Sequence, residues 1–299
     1  MAVLDYRQVD VFAEAPLAGN GLTVIVSDRS LGTHLMQQLT RELRQFETIF
    51  LTPLSEPNSF AARVFTMDEE LPFAGHPAIG AAAVLHERAG GEFHEWKLRL
   101  PAGGVTLESS RHADHYRVSM NQGRVTFGET IAPGEELDWL RLFGLEPGHS
   151  DPRLPICVAS TGLSYLVIPV TSGGLEGARI ACRNLEQRLA TVGAKFAYVL
   201  DVDKREGRTW DNSGAVEDIA TGSAAGPVAG LLVRYGWADA GESIRLRQGR
   251  FVGRPSEMVV KVCDNSESCA GDVILTGSVV TVARGAFDEH VRGLSDFAG

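Results

Sequence analysis

A chain of 299 residues is long for one hydrophobic core and comfortable for two domains; at 44% hydrophobic and 22% charged residues it is far from the disordered and membrane-spanning classes. Its formal net charge of -10 argues against a nucleic-acid partner, because phosphate backbones are bound through an excess of Lys and Arg. The cluster Arg245, Arg247, Arg250 and Arg254 reads as the solvated edge of a strand.

The opening MAVLDYRQVDVF has no basic stretch leading into an apolar one, and no apolar run reaches the roughly 18 residues of a spanning helix. A cytoplasmic protein without a membrane partner is expected. Cys157, Cys182, Cys263 and Cys269 lack CxxC spacing, so free thiols are expected; the last two flank DNSES, which reads as a hairpin tip.

In chain order, TVIV (Thr23 to Val26) is a buried strand and THLMQQLTREL an amphipathic helix with Leu35, Met36, Leu39 and Leu43 on one face. ETIFL follows as a strand with apolar residues on both faces. Glu47 heads it and shares a face with Ile49 and Leu51, either as a partly desolvated carboxylate suited to general acid/base work or as an exposed strand-end glutamate. Beyond AARVFTMDEE comes LPFAGHPAIGAAAVL, then KLRLPAGGVTL. SSRHADHY is a polar turn whose His112 and His115 lack further ligands to complete a metal site, so no metal is expected. The Pro/Gly-rich stretch from Gly128 to Pro155, with one short helix from Glu135 to Phe143, reads as a connector.

Beyond the connector the same succession returns: strand YLVIPV, helix NLEQRLATV, strand FAYVLDV, then EDIATGSAAGPVAGLL and SIRLRQGRFVG. Superposing Gly75 on Gly222 brings Ala78 onto Ala225, Ala82 onto Ala229 and Val84-Leu85 onto Leu231-Leu232. This predicts a duplicated α/β (α+β) unit: residues 1–125, with 283–299 returning to it; a connector over 126–155; and a second copy over 156–282. Each copy has one helix that is small and apolar all round, PAIGAAAVL and AAGPVAGLLV. Such a helix must be enclosed by protein, most simply by a β-barrel-like mixed sheet curled around it.

The start of an enclosed helix presents unpaired N–H groups and the positive end of its dipole, so two such starts across a cleft would make a receptor for a small carboxylate. Asp218, Thr221, Gly222 and Ser223 stand at the second start, either as that receptor or as ordinary N-cap residues. Gly75, His76 and Pro77 stand at the first, with His76 open to proton transfer or to simple capping. No P-loop, dinucleotide fingerprint or GxSxG elbow is present.

These residues resemble a known family. QVDVFAEAPLAGNGLTVIV, ETIF, RVFTMDEELPFAGHPAIGAAAVL, TGLSYLVIPV, DIATGSAAG and QGRFVGRPSEM are similar to the phenazine-biosynthesis PhzF-like isomerases of the diaminopimelate epimerase-like fold, over nearly the whole chain. The resemblance implies two similar domains with the site between them, a homodimer, and a proton shift without cofactor or metal. It implies Glu47 as general acid/base and His76 and Asp218 as its catalytic partners. Asn20, Gly75, Thr221, Gly222 and Ser223 are then expected to hold the carboxylate of a small-molecule substrate. In the related epimerases two cysteines at the helix starts move the proton; no cysteine stands at either start here, which disfavours a cysteine-pair racemase. Phe46, Gly21 and Ile219 depart from the family pattern beside these positions. The alternatives are an amino-acid racemase or epimerase, and an anion-binding protein without catalysis.

Overall fold

A computed structural model describes residues 4–72, 75–264, 266–269, 271–288 and 290–291. The chain divides into two compact units, Met1–Asn121 with Thr276–Gly299, and Gln122–Leu275.

The first unit holds strands β1 (Asp5–Val11) and β2 (Asn20–Val26), helix α1 (Thr33–Leu43), β3 (Glu47–Pro53), β4 (Ser59–Thr66), the short β5 (Glu70–Leu71) and helix α2 (Gly75–Ala89). β6 (Phe93–Leu100), β7 (Gly103–His112) and β8 (His115–Arg124) follow, the last carrying the chain into the second unit. The second unit comprises β9 (Thr126–Thr130), α3 (Glu136–Leu142), β10 (Cys157–Ser160), β11 (Ser164–Val170), α4 (Ser172–Gly177), α5 (Leu185–Ala190), β12 (Phe196–Asp201), β13 (Glu206–Arg208), α6 (Gly222–Arg234), β14 (Ser243–Gln248) and β15 (Ser256–Val262). β16 (Asp272–Ala286) leads back to the first.

In the first unit the strands run β1-β2-β3-β4-β6-β7-β8-β16, and pairing of β1 with β16 closes an eight-stranded barrel. β2–β3 and β4–β6 are parallel; β1–β2, β3–β4 and β6–β7 are antiparallel. The second unit repeats this: β10–β11 antiparallel, β11–β12 parallel, β12–β13 antiparallel, β13–β14 parallel, β14–β15 antiparallel. Helices α1 and α2 fall at the same points of the succession as α4–α5 and α6. The duplication read from small residues is therefore a duplication of topology, and the two glycines superposed in the sequence are the first residues of α2 and α6.

Both enclosed helices are buried on every side, Pro77 through His86 in α2 and all but Ser223 from Gly222 to Leu232 in α6. Small residues are what allow it: a Cβ at Gly80 would stand 2.4 Å from Leu22 Cδ2 on β2. α1 is different. Its Leu35, Met36 and Leu39 pack with Phe50 and Phe65, so β3 sends Thr48 and Phe50 towards α1 and leaves Glu47, Ile49 and Leu51 facing the other way. At about 1.5–3 kcal/mol for each large side chain fully buried, that two-sided burial holds β3 and its first residue in place.

The segment from residue 126 to 155 is more than a connector. Ile131, Trp139, Leu140, Phe143 and Leu145 enter the apolar core of the second unit with Val158, Leu166, Ile168 and Val199. The expectation of four free thiols is corrected: Cys263 and Cys269 form a disulfide, with Cα atoms 5.8 Å apart, and Cys157 and Cys182 remain free. The hairpin brings them together, since Cys263 N–H donates to the Asp272 carbonyl and Gly271 N–H to that of Cys263. Among the described residues no helix is long and apolar enough to cross a membrane.

Candidate active site

In the first unit Glu47 opens β3 and lies level with Thr66 of β4. Its side chain stands on the face shared with Ile49 and Leu51 and reaches α2, where Glu47 Oε2 lies 3.3 Å from His76 Nε2; each side chain keeps only 10% of its surface exposed. His76 is the second residue of α2 and Pro77 the third, in the first turn, where a missing N–H leaves no helical bond unmade. A carboxylate and an imidazole in contact, largely shielded from water, form an acid/base pair in which a proton held by either is stabilised by the other. Gly75 begins the helix; Phe73 and Ala74 of the AGHPAIG motif lie outside the described residues. Asn20 is buried at the head of β2, opposite Val11 of β1.

In the second unit the groups at the start of α6 are joined by hydrogen bonds. Thr221 is the N-cap, but its hydroxyl donates to Asp218 Oδ2 at 2.6 Å, and no cap bond to the helix is made. Gln248, at the end of β14, donates through Nε2 to the Asp218 carbonyl and to Thr221 Oγ1, and accepts the Thr221 N–H at Oε1. Ser223 Oγ pairs with the Tyr165 hydroxyl at 2.7 Å. Burial pushes the Tyr165 phenol well above its ordinary range; the Ser223 bond pulls the other way and the Asp218 charge raises it further. Tyr165 is thus a neutral hydrogen-bonding partner at any working pH. The Gly222 carbonyl accepts from Gln122 Nε2 at 2.9 Å.

Glu47 and His76 are brought into one pair, and Asp218, Thr221 and Ser223 stand within six residues of one another at the other helix start. Both the N–H and the hydroxyl of Thr221 are engaged by Gln248 and Asp218, so its part is to support its neighbours rather than to bind a ligand through those atoms. Tyr165 and Gln248 were not singled out as site residues. Gln248 had a signal: SIRLRQ alternates, and its inward face, Ile244 and Leu246, ends on a glutamine. Tyr165 heads an apolar strand, where only the fold shows that its hydroxyl meets Ser223.

His112 and His115 stack with ring centroids 5.3 Å apart, and His115 Nε2 lies 3.8 Å from Glu14. Among the described residues, the close His/Cys/Asp/Glu ligand trio is Cys263, Glu267 and Cys269, whose two sulfurs are bonded to each other.

Comparison with known proteins follows the same lines. A family model described as "Phenazine biosynthesis-like protein" matches residues 9–285. The trans-2,3-dihydro-3-hydroxyanthranilate isomerase of Pseudomonas chlororaphis is 31% identical over 287 residues, spanning 94% of this chain and 98% of its own. Among solved structures, a "predicted epimerase" of Pseudomonas aeruginosa superposes with a TM-score of 0.86 at 48% identity, covering 95% of this chain and 99% of that one. A probable proline racemase of Agrobacterium radiobacter, 16% identical, gives a TM-score of 0.58 over 96% of this chain and 93% of its own, and shares the fold alone. The architecture is diaminopimelate epimerase-like.

Proposed function

This chain belongs to the phenazine-biosynthesis-like family of isomerases, and on that premise we propose that it catalyses a cofactor-independent proton shift on a small carboxylate-bearing substrate. The observation that carries the reading is the shielded Glu47–His76 pair at the start of an enclosed helix. Glu47 removes a proton from carbon and returns it at a second position, and His76 stabilises the carboxyl group in whichever state it holds. A hydrogen on carbon is weakly acidic, so the charge that develops needs oriented donors as much as it needs a base. Gly222 and Ser223 supply them at the start of α6, and Asp218 meets an amino or hydroxyl group of the substrate.

The relative from Pseudomonas chlororaphis names the first compound to try, trans-2,3-dihydro-3-hydroxyanthranilate. Phe46 and Ile219, beside the acid/base residues, favour a panel of cyclic and amino-acid-like carboxylates around it. Incubation with this panel in deuterated water, followed by NMR, is the test. Deuterium at carbon with a rearranged product supports the isomerase, and treatment with a chelator leaves the rate unchanged. Deuterium with loss of optical rotation identifies a racemase or epimerase, and binding shifts without exchange identify a non-catalytic anion-binding protein. Assembly as a cytoplasmic homodimer is part of the proposal and is checked by light scattering of the purified chain.

A further inference from the structure

The motif QGRFVGRPSEM begins with two residues that meet the loop carrying Asp218. Gln248 is 1% exposed and spends its whole amide on that loop. Its orientation is fixed by its partners. Thr221 N–H can only donate, so the atom 3.2 Å from it is the oxygen; the Asp218 carbonyl can only accept, so the atom 2.9 Å from it is the nitrogen. The second hydrogen of that nitrogen goes to Thr221 Oγ1 at 2.9 Å. Thr221, with its oxygen occupied as an acceptor, turns its own proton onto Asp218 Oδ2 at 2.6 Å. The chain of donors therefore has one direction, from Gln248 through Thr221 to Asp218.

Gly249 completes the contact. It sits at φ +84, and a Cβ there would be 2.6 Å from the Ile219 carbonyl and 2.2 Å from that of Arg254. Only glycine lets the end of β14 approach the residue after Asp218 so closely. Asp218 is anchored from its other side as well, its N–H donating to the Thr209 carbonyl.

We propose that Gln248 and Gly249 form a clamp that positions the Asp218–Ser223 loop, and that Gln248 is a positioning residue that sets, through the Thr221 hydroxyl, the direction in which the Asp218 carboxylate is offered to substrate. The proposal rests on the reading that Asp218 meets the substrate. A buried amide with all its bonds made holds a loop far more tightly than the same contacts in water, and a carboxylate supported by a directed hydroxyl needs no rearrangement when substrate arrives.

The experiment compares Gln248→Ala, Gln248→Glu, Thr221→Val, Thr221→Ser and Asp218→Asn in the full chain. It reads turnover of the substrate found in the deuterium panel, melting temperature, and hydrogen exchange of the Thr221 amide by NMR without ligand. The clamp predicts that Gln248→Ala speeds exchange of that amide at least tenfold while amides of β11 and β12 keep their rates. It also predicts that kcat falls roughly 10- to 100-fold in Gln248→Ala and Thr221→Val, and that Thr221→Ser, which keeps the hydroxyl, stays within about threefold of the parent. Gln248→Glu, the same length without the donors, resembles Gln248→Ala. A purely structural glutamine would lower the melting temperature and leave kcat and the Thr221→Val/Thr221→Ser difference untouched, which overturns the proposal. So does an unchanged Thr221 amide in Gln248→Ala. If Asp218→Asn loses turnover while Gln248→Ala keeps it, the clamp fails and the active-site reading stands. If Asp218→Asn keeps full turnover, the positioning role falls together with that reading, even where the amide has responded.

Discussion

The two units put different chemistry on the same frame. In each, the second residue of the enclosed helix meets a polar side chain from the surrounding strands: His76 meets Glu47 from β3, and Ser223 meets Tyr165 from β11. The first contact joins a carboxylate to an imidazole; the second joins two hydroxyls, one of them a phenol that burial keeps protonated. The carboxylate of the second unit, Asp218, comes from the loop before the helix and is bound into a network with Thr221 and Gln248. On the proposed function, a duplicated fold divides labour: one helix start exchanges a proton and the other holds its donors still.

The sharpest way to break this comparison is to neutralise the two sides separately. Glu47→Gln should cost turnover by three orders of magnitude or more, of the order attributed to a positioned general base, while ligand binding by calorimetry is retained. His76→Asn should lower kcat roughly 100-fold, with the loss in kcat rather than KM. On the other side, Tyr165→Phe leaves Ser223 without its partner at a cost of about 1 kcal/mol, so a change of roughly fivefold, seen mainly in KM, is expected. If Tyr165→Phe matched His76→Asn in kcat, the division of labour would be wrong.

Packing offers a smaller contrast. Gly80→Ala forces a methyl group against Leu22 of the closed barrel and should cost about 1–3 kcal/mol by urea unfolding, with the folded fraction fully active. The smallest effect expected concerns pH. His86 is fully buried at the far end of α2, with Nδ1 at 2.7 Å from Ser109 Oγ and Nε2 at 3.2 Å from the Gly91 carbonyl. Burial pushes its pKa below the ordinary 6.5, the Gly91 carbonyl opposes that shift, and neighbouring His94 adds to it. Below pH 6.5 the unfolded chain gains a proton that the folded chain refuses, so stability falls as the pH drops through that value and is flat above it. The slope of melting temperature between pH 6.5 and 5 should shrink in His86→Gln.

Much of this was legible in the sequence, for physical reasons. Helices apolar on all sides have to be enclosed, which fixed the barrel-like architecture from AIGAAAVL and AAGPVAGLL before any strand was paired. Glu47 was visible because ETIFL is apolar on both faces, and its meeting with His76 followed from the resemblance. Cys263 and Cys269 were read as a hairpin tip, but spacing alone does not say that a hairpin closes tightly enough to join its thiols. The inner shell around Asp218 was harder to see. Tyr165 and Gln248 lie far along the chain from Ser223 and Thr221, and parallel pairing of β11 with β12 and of β13 with β14 brings them there. A hydrogen bond between distant side chains leaves no local period to read; only the glutamine closing the inward face of SIRLRQ hinted at it.

The central claim is that Glu47 carries the proton, and its most direct test is deuterium incorporation at carbon, followed by NMR in deuterated water for the parent chain and Glu47→Gln with the same bound substrate. The account predicts incorporation by the parent and none by Glu47→Gln at unchanged ligand affinity. Retained incorporation in Glu47→Gln would contradict it.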